Sequence, residues 1–301
     1  MYLFQKIEEV MMNYHDARHA VGEFVLHEQK NLYKYTINEV AEYSYTSKAT
    51  VVRFAKTLGF EGWRDFMKAF NAEIKYQETH QADVDANYPF HDKSSHQEII
   101  DSLKTLQIES IEDSADLMDL DMLKMATAYL VKAKHIVIFG LSPNIFIGEL
   151  FRRKMITIGK KVDIANPGEM GIISRTMGIE DCAIVISYSG NNKQAEPMSY
   201  LQYLLDQKVS IIGITSGGDN YMRRILPCVF TMSSKERLYT KIGNFATEES
   251  LQFILNVLYS CYYREEYQKN CMFKIQSSKI LESRRHAVLN EMQDEVEKEK
   301  A

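Results

Sequence analysis

Apolar residues recur at helical spacing from the start of the chain to about position 77. Ile7, Val10, Met11 and Tyr14 fall on one stripe and Ala20, Val21, Phe24 and Val25 on the next, with no strand-like alternation between them. From Gln77 to Gln97 the chain turns polar (QETHQADVDANYPFHDKSSHQ), with few aliphatic residues and a proline at 89, a composition that reads as a connector between domains. An amphipathic stretch over about 98–131 then leads into five short β-branched or aliphatic runs. These are His135–Phe139, Lys161–Ile164, Ala183–Ser187, Val209–Ile214 and Cys228–Thr231, each followed by a helical pattern. Such alternation predicts an α/β domain, a parallel sheet flanked by helices on both faces. The charged stretch 274–301, ending DEVEKEK, predicts a solvated helix. The expected organisation is an all-α domain over 1–77, a linker over 78–97, an α/β domain over 98–273 and a charged C-terminal helix over 274–301.

Within the all-α part, residues 36–60 (TINEVAEYSYTSKATVVRFAKTLGF) read as two short helices joined by a tight turn. Ile37, Val40 and Ala41 form the buried face of the first; Val51, Val52, Ala55 and Leu58 supply that of the second. Ser47 suits the N-cap and Gly59 the C-terminal stop. This is the spacing of a helix-turn-helix, whose second helix enters the DNA major groove with its N-terminal residues toward the base edges. Thr46, Ser47, Lys48, Thr50, Arg53 and Lys56 are the candidate contacts. Over 46–68, Lys48, Arg53, Lys56, Arg64 and Lys68 stand against Glu61 and Asp65, a local basic excess of the kind phosphate binding requires. The competing reading is a helical packing module with a solvated basic face; the agreement of turn, cap and stop weighs against it. Trp63, Phe66 and Phe70, at helical spacing, read as core rather than as a base-stacking platform.

In the α/β part, ligands are expected in the loops beyond the carboxyl ends of the strands. After the third strand comes Ser187-Tyr188-Ser189-Gly190-Asn191-Asn192-Lys193-Gln194. Hydroxyls at alternate positions, a glycine and the free N–H groups of a following helix predict an anion cradle, with phosphate its natural guest. Gly140-Leu141-Ser142-Pro143-Asn144 and Thr215-Ser216-Gly217-Gly218-Asp219 follow the first and fourth strands. One such loop is ordinary turn chemistry, but three at successive strand ends favour a pocket. GxxxxGK[ST] and GxGxxG are both absent, leaving the common nucleotide cradles unsupported.

Composition narrows the partners. With 26% charged and 45% hydrophobic residues the chain is ordinary globular protein, and its net charge of −5 offers no overall field for nucleic acid or anionic membrane. DNA binding must therefore be local. Cys182, Cys228, Cys261 and Cys271 are too few and too far apart for a disulfide framework or a metal site. No segment has the apolar core of a secretion signal, and none approaches the roughly 20 apolar residues that cross a bilayer. A cytoplasmic protein without membrane contact, cofactor or metal is expected.

With these residues in place, the two parts together resemble the RpiR family of bacterial transcriptional regulators, a helix-turn-helix joined to a SIS (sugar isomerase) domain. Residues 46–60 followed by Gly62-Trp63-Arg64-Asp65-Phe66 carry the first half of the resemblance. Ile184-Val185-Ile186-Ser187-Tyr188-Ser189-Gly190 and Ile211-Ile212-Gly213-Ile214-Thr215 carry the second. The resemblance implies a double-stranded DNA operator, a phosphorylated sugar effector, and a homodimer or homotetramer. It further implies that Ser187, Ser189 and Gly190 hold the phosphate of the effector, and Ser142, Asn144 and Asn192 of the same loops complete the candidate ligand-binding set. Where the family pattern runs Ser-Gly-x-Thr-x-Glu, this chain has an amide at Asn192 and a neutral Gln194.

The alternative is a SIS-domain phosphosugar isomerase or lyase with an accessory helical domain. It needs a positioned base. By analogy Glu248 and Glu249 are the acids nearest the pocket, Glu248 being taken as a ligand-contact candidate, though carboxylates at a helix start also serve the helix dipole. None of the eight histidines falls in a pocket loop, so no catalytic residue is assigned and the expectation is a non-enzyme.

Overall fold

A computed structural model of the chain describes residues 2–79, 84–218, 220–233, 235–237 and 239–282. The first part is helical as the periodicity predicts: α1 (Tyr2–Asn13), α2 (Ala17–Glu28), α3 (Ile37–Tyr43), α4 (Lys48–Thr57) and α5 (Trp63–Thr79), with a short 3-10 turn at Gln29–Lys34. Its core joins Ile7, Val21, Val25, Val40, Val51, Phe54, Phe66 and Phe70, all fully buried. Trp63 and Phe66 stack with centroids 4.9 Å apart and Phe66 and Phe70 at 5.5 Å, so these rings are core.

The second part begins with α6 (His96–Asp116) and α7 (Leu120–Lys132) and continues β1 (His135–Gly140), α8 (Asn144–Ile156), β2 (Val162–Ala165), α9 (Met170–Thr176), β3 (Asp181–Ile186), α10 (Leu201–Asp206), β4 (Ser210–Ser216), α11 (Tyr221–Ile225), β5 (Val229–Met232), α12 (Phe245–Glu265) and α13 (Tyr267–Leu281). The five strands form one parallel sheet in the order β2-β1-β3-β4-β5. The period-2 geometry of a strand divides its residues between two cores. Ile136, Ile138, Ile184, Ile186, Ile212 and Ile214 face α7, α8 and α12, while Val137, Phe139, Ala183, Val185 and Ile211 face α9, α10 and α11. That double burial is why these runs read as continuous apolar stretches.

The four cysteines are free thiols. Burial pushes the Cys182 thiol up, and that of Cys228 to about 12, so both are inert packing residues. The polar connector differs from a loose tether: Ala86 and Asn87 are buried, and Ala86 packs with Leu106 of α6 and Ala246 of α12. Of the expected C-terminal helix, α13 reaches Leu281 and residues 283–301 lie outside the described residues.

Candidate functional site

The α3–turn–α4 unit is built by capping. Thr36 and Glu39 form a reciprocal capping box at the start of α3. At its end Tyr45 donates to Glu42 O (3.0 Å) and Thr46 to Ala41 O (2.8 Å), a pair of bonds that reverses the chain through a left-handed residue, Tyr45, with φ +52°. Ser44 Oγ donates to Val40 O at 2.6 Å and lies 3.0 Å from Thr46 Oγ1. Ser47 then accepts from the Thr50 N–H at 3.2 Å, starting α4. The stop is the same motif, with Gly59 (φ +93°) donating to Lys56 O and Phe60 to Ala55 O.

Val51, Phe54 and Ala55 are fully buried, so the opposite face of α4 is left to solvent. Ser47, Lys48, Arg53 and Lys56 are exposed on that side, together with Ala49; Thr46 is half-buried. Thr50 is placed differently from the other candidates. It is buried, and its hydroxyl lies 3.0 Å from that of Ser47, within the cap. Beside this face Arg18 grips Asp16 through two nitrogens (2.7 and 3.0 Å). These bonds, with a smaller contribution from the Arg53 charge, hold the Asp16 carboxyl down at about 2. Asp16 is thereby paired with a cation.

At the carboxyl end of the sheet, the loop after β3 is locked to that after β4. Ser187 donates its N–H to Ile214 O (3.0 Å), and its Oγ accepts from Gly190 N–H (3.3 Å). Gly190 has φ +62°, and a Cβ there would meet Thr215 Oγ1 at 2.6 Å and Asn220 at 2.8 Å, so no other residue fits. Gly190 O accepts from Met222 N–H (3.0 Å) and Asn191 Oδ1 from Tyr221 N–H (2.9 Å). Ser189 and Asn192 are left exposed at the mouth. Lys193, a residue not singled out in the sequence, lies over the Tyr221 ring at 4.1 Å and brings a cation to the same mouth. After β1, Ser142 is exposed and Asn144 half-buried at the start of α8.

One expectation fails here. The cradle was to borrow free N–H groups from a following helix, yet residues 191–197 are turn and irregular chain, and α10 begins only at Leu201. Asn191 and Asn192 bond through their side chains to the backbone of Tyr221 and Gln194, and Pro197 supplies no N–H; both disfavour a helix at this point. Glu248 also lies apart from the bonded network: it is exposed in the first turn of α12. The carboxylate that is tied in is Glu236, buried beneath that same helix end. It accepts from Ala246 N–H (2.7 Å) and Thr247 Oγ1 (2.5 Å), and its backbone carbonyl accepts from the Tyr188 hydroxyl (3.2 Å). Burial pushes the Glu236 carboxyl above its ordinary value, with the Thr247 and Ala246 donors pulling the other way. No group of three or more His, Cys, Asp or Glu side chains able to hold a metal occurs among the described residues.

Residues 1–77 match the model of the helix-turn-helix domain of the rpiR family, and residues 129–248 that of the SIS domain. The chain thus pairs a helix-turn-helix domain of the rpiR family with a SIS domain. It is similar to an uncharacterised HTH-type transcriptional regulator of Clostridium perfringens, 22% identical over 93% of this chain and 99% of that protein. Its fold is similar to that of the Vibrio vulnificus NanR protein complexed with ManNAc-6P, at 19% identity and TM-score 0.59, over 95% of this chain and all of that one. The α/β half alone is similar to a Listeria monocytogenes protein described as a candidate sugar-phosphate isomerase, at 16% identity and TM-score 0.54, over 60% of this chain and 97% of that one.

Proposed function

We propose that this protein is a transcriptional regulator that binds double-stranded DNA through α4 and whose operator binding is modulated by a phosphorylated sugar held in the SIS domain. The observation that carries the reading is the pairing of an rpiR-type helix-turn-helix with a SIS domain in a single chain. In this reading Thr46, Ser47, Lys48, Arg53 and Lys56 face the major groove. Thr50 fixes the start of the helix. Ser142, Asn144, Ser187, Ser189, Gly190 and Asn192, with Lys193, surround the phosphate, supported by the ligand of the V. vulnificus NanR protein. Glu248, solvated at the mouth end of α12, is left to contact a sugar hydroxyl. The protein works in the cytoplasm as a homodimer or homotetramer on a palindromic site.

The isomerase or lyase alternative draws on the fold of the L. monocytogenes protein. Sites selected from a random DNA pool by the full-length protein, followed by titration of the selected duplex with a panel of hexose and hexosamine 6-phosphates, test the regulator reading. A selected sequence whose affinity changes with one of the panel supports it. Turnover of a panel member that Glu248→Gln abolishes, with no DNA sequence selected, would establish the enzyme instead.

A further inference from the structure

Between β5 and α12 runs a strap of which residues 233, 235–237 and 239–244 are described. Its ends are pinned to helices. Ser233 donates its N–H to Ser250 Oγ (2.8 Å) and its hydroxyl to Asp113 Oδ2 (3.1 Å), and Lys235 Nζ stands 3.4 Å from Asp113. Glu236 caps α12 as described. The middle of the strap is held from two opposite directions.

From the loop after β3, the Tyr188 hydroxyl donates to Glu236 O at 3.2 Å. From the connector, buried Asn87 makes three bonds: its Oδ1 accepts from Arg237 N–H (2.6 Å), its Nδ2 donates to Lys235 O (3.4 Å), and its backbone carbonyl accepts from Ile242 N–H (2.9 Å). Asp85 fixes Asn87 in turn, accepting from its backbone N–H at 2.8 Å and its Nδ2 at 3.2 Å. Glu236 O and Arg237 N–H belong to one peptide unit. That unit is planar and stiff, and a bond to its oxygen polarises the N–H on its other side. It is therefore gripped at one end by a residue lying between the two phosphate-facing serines and at the other by the segment that leads to the DNA-binding helices. Beyond it Arg237, Tyr239 and Thr240 line a cavity of about 430 Å³ whose other wall is Glu8, Met11, His15 and His19 of the helical domain.

We propose that the Glu236–Arg237 peptide relays occupancy of the loop after β3 to the connector and so to the DNA-binding domain, with Tyr188 and Asn87 as its two positioning residues. The proposal rests on the regulator reading above. An anion drawn to Ser187 and Ser189 moves the Tyr188 hydroxyl that lies between them in sequence. The peptide turns as a rigid plate, and Asn87, which has no freedom of its own, turns with it. Effector binding and DNA affinity are then coupled through one amide plane, and a coupling of this kind is typically about 5- to 150-fold in affinity.

The test uses the full-length protein, its selected DNA duplex, and as probes inorganic phosphate and the 6-phosphate panel. In the unaltered protein a probe is expected to change both hydrogen exchange at the Arg237 and Ile242 amides and the affinity for DNA. Tyr188→Phe keeps the ring and loses only the hydroxyl. It should bind the probe as the unaltered protein does, while the two amides and the DNA affinity no longer respond. Asn87→Ala should show the same loss from the other side, and the double variant should be no worse than either single one. A full DNA response in Tyr188→Phe or Asn87→Ala overturns the relay and leaves the regulator standing. A probe that binds the unaltered protein without altering DNA affinity, or a panel that does not bind at all, overturns the reading and the relay together.

Discussion

Tyr45 occupies a backbone position that asks for glycine. Its φ of +52° is left-handed, its ring is 97% exposed, and both backbone bonds of the turn are already made by N–H groups that any residue would carry. A side chain in that region costs roughly 1–2 kcal/mol, part of which a glycine returns through the greater freedom of the unfolded chain, about 0.4–1 kcal/mol. Tyr45→Gly is therefore expected to raise unfolding stability by about 0.5–1 kcal/mol. Gly59 stands in the same motif at the end of α4 with open space around a would-be Cβ, so Gly59→Ala should lower stability by about 1 kcal/mol for conformational reasons alone. Urea denaturation of both variants checks the pair, and changes of the same sign would contradict the account. Ser47 and Gly59 were legible in the sequence because caps and stops are local. The inward turn of Thr50 was not, because helical spacing alone does not say which of two neighbouring hydroxyls completes a cap.

At the scale of elements, α4 divides cleanly into a buried side and a basic side. Arg53 lies on the basic side, where a guanidinium can address a guanine through two bonds worth about 1–3 kcal/mol of discrimination. Arg53→Ala should weaken binding to the selected duplex by that amount and relax selection at one base pair. Affinity for the selected duplex that is unchanged in Arg53→Ala would remove Arg53 from the site. The five strands were also legible, each being a short apolar run. The loop after β3 was half legible: its serines and glycine were read as a cradle, but the absence of a helix directly behind it depends on amide bonds to Tyr221 and Gln194. The helix end that matters is that of α12, capped by a residue 10 positions before Ala246. Burial raises the Glu236 carboxyl above its unfolded value of 4.5. A carboxyl that holds its proton more tightly in the folded chain favours folding fully below the unfolded value and loses that contribution as pH rises through the folded one. Glu236→Gln should thus become progressively more stable relative to the unaltered protein as pH rises from 4.5, read by thermal unfolding across pH. Parallel profiles would show that the carboxylate titrates alike in both states.

At the scale of the molecule, a helical domain and an α/β domain are joined by a connector whose Ala86 packs with Leu106 and Ala246 of the α/β domain. The division was visible as a change of hydrophobic period, but the joint was not. The bonds that make it link Asn87 to Arg237, 150 positions apart, and Tyr188 to Glu236, 48 apart, and neither has a local signature. This arrangement sets what a lesion in the cradle should do. Ser189 lies at the exposed mouth and is part of no bonded network described above, so on the proposed function Ser189→Ala removes a donor to the effector's phosphate without disturbing the packing of either domain. A hydrogen bond to a charged group is worth about 1.5–3 kcal/mol, so the effector concentration for half-maximal change in DNA affinity should rise by about one to two orders of magnitude, while affinity without effector, set by α4, stays as it was. Fluorescence anisotropy of the labelled duplex, titrated with the active panel member, measures both quantities at once. An unchanged midpoint would place the phosphate elsewhere on the sheet edge. Loss of effector-free affinity would mean that the two cores are coupled even when the cradle is empty.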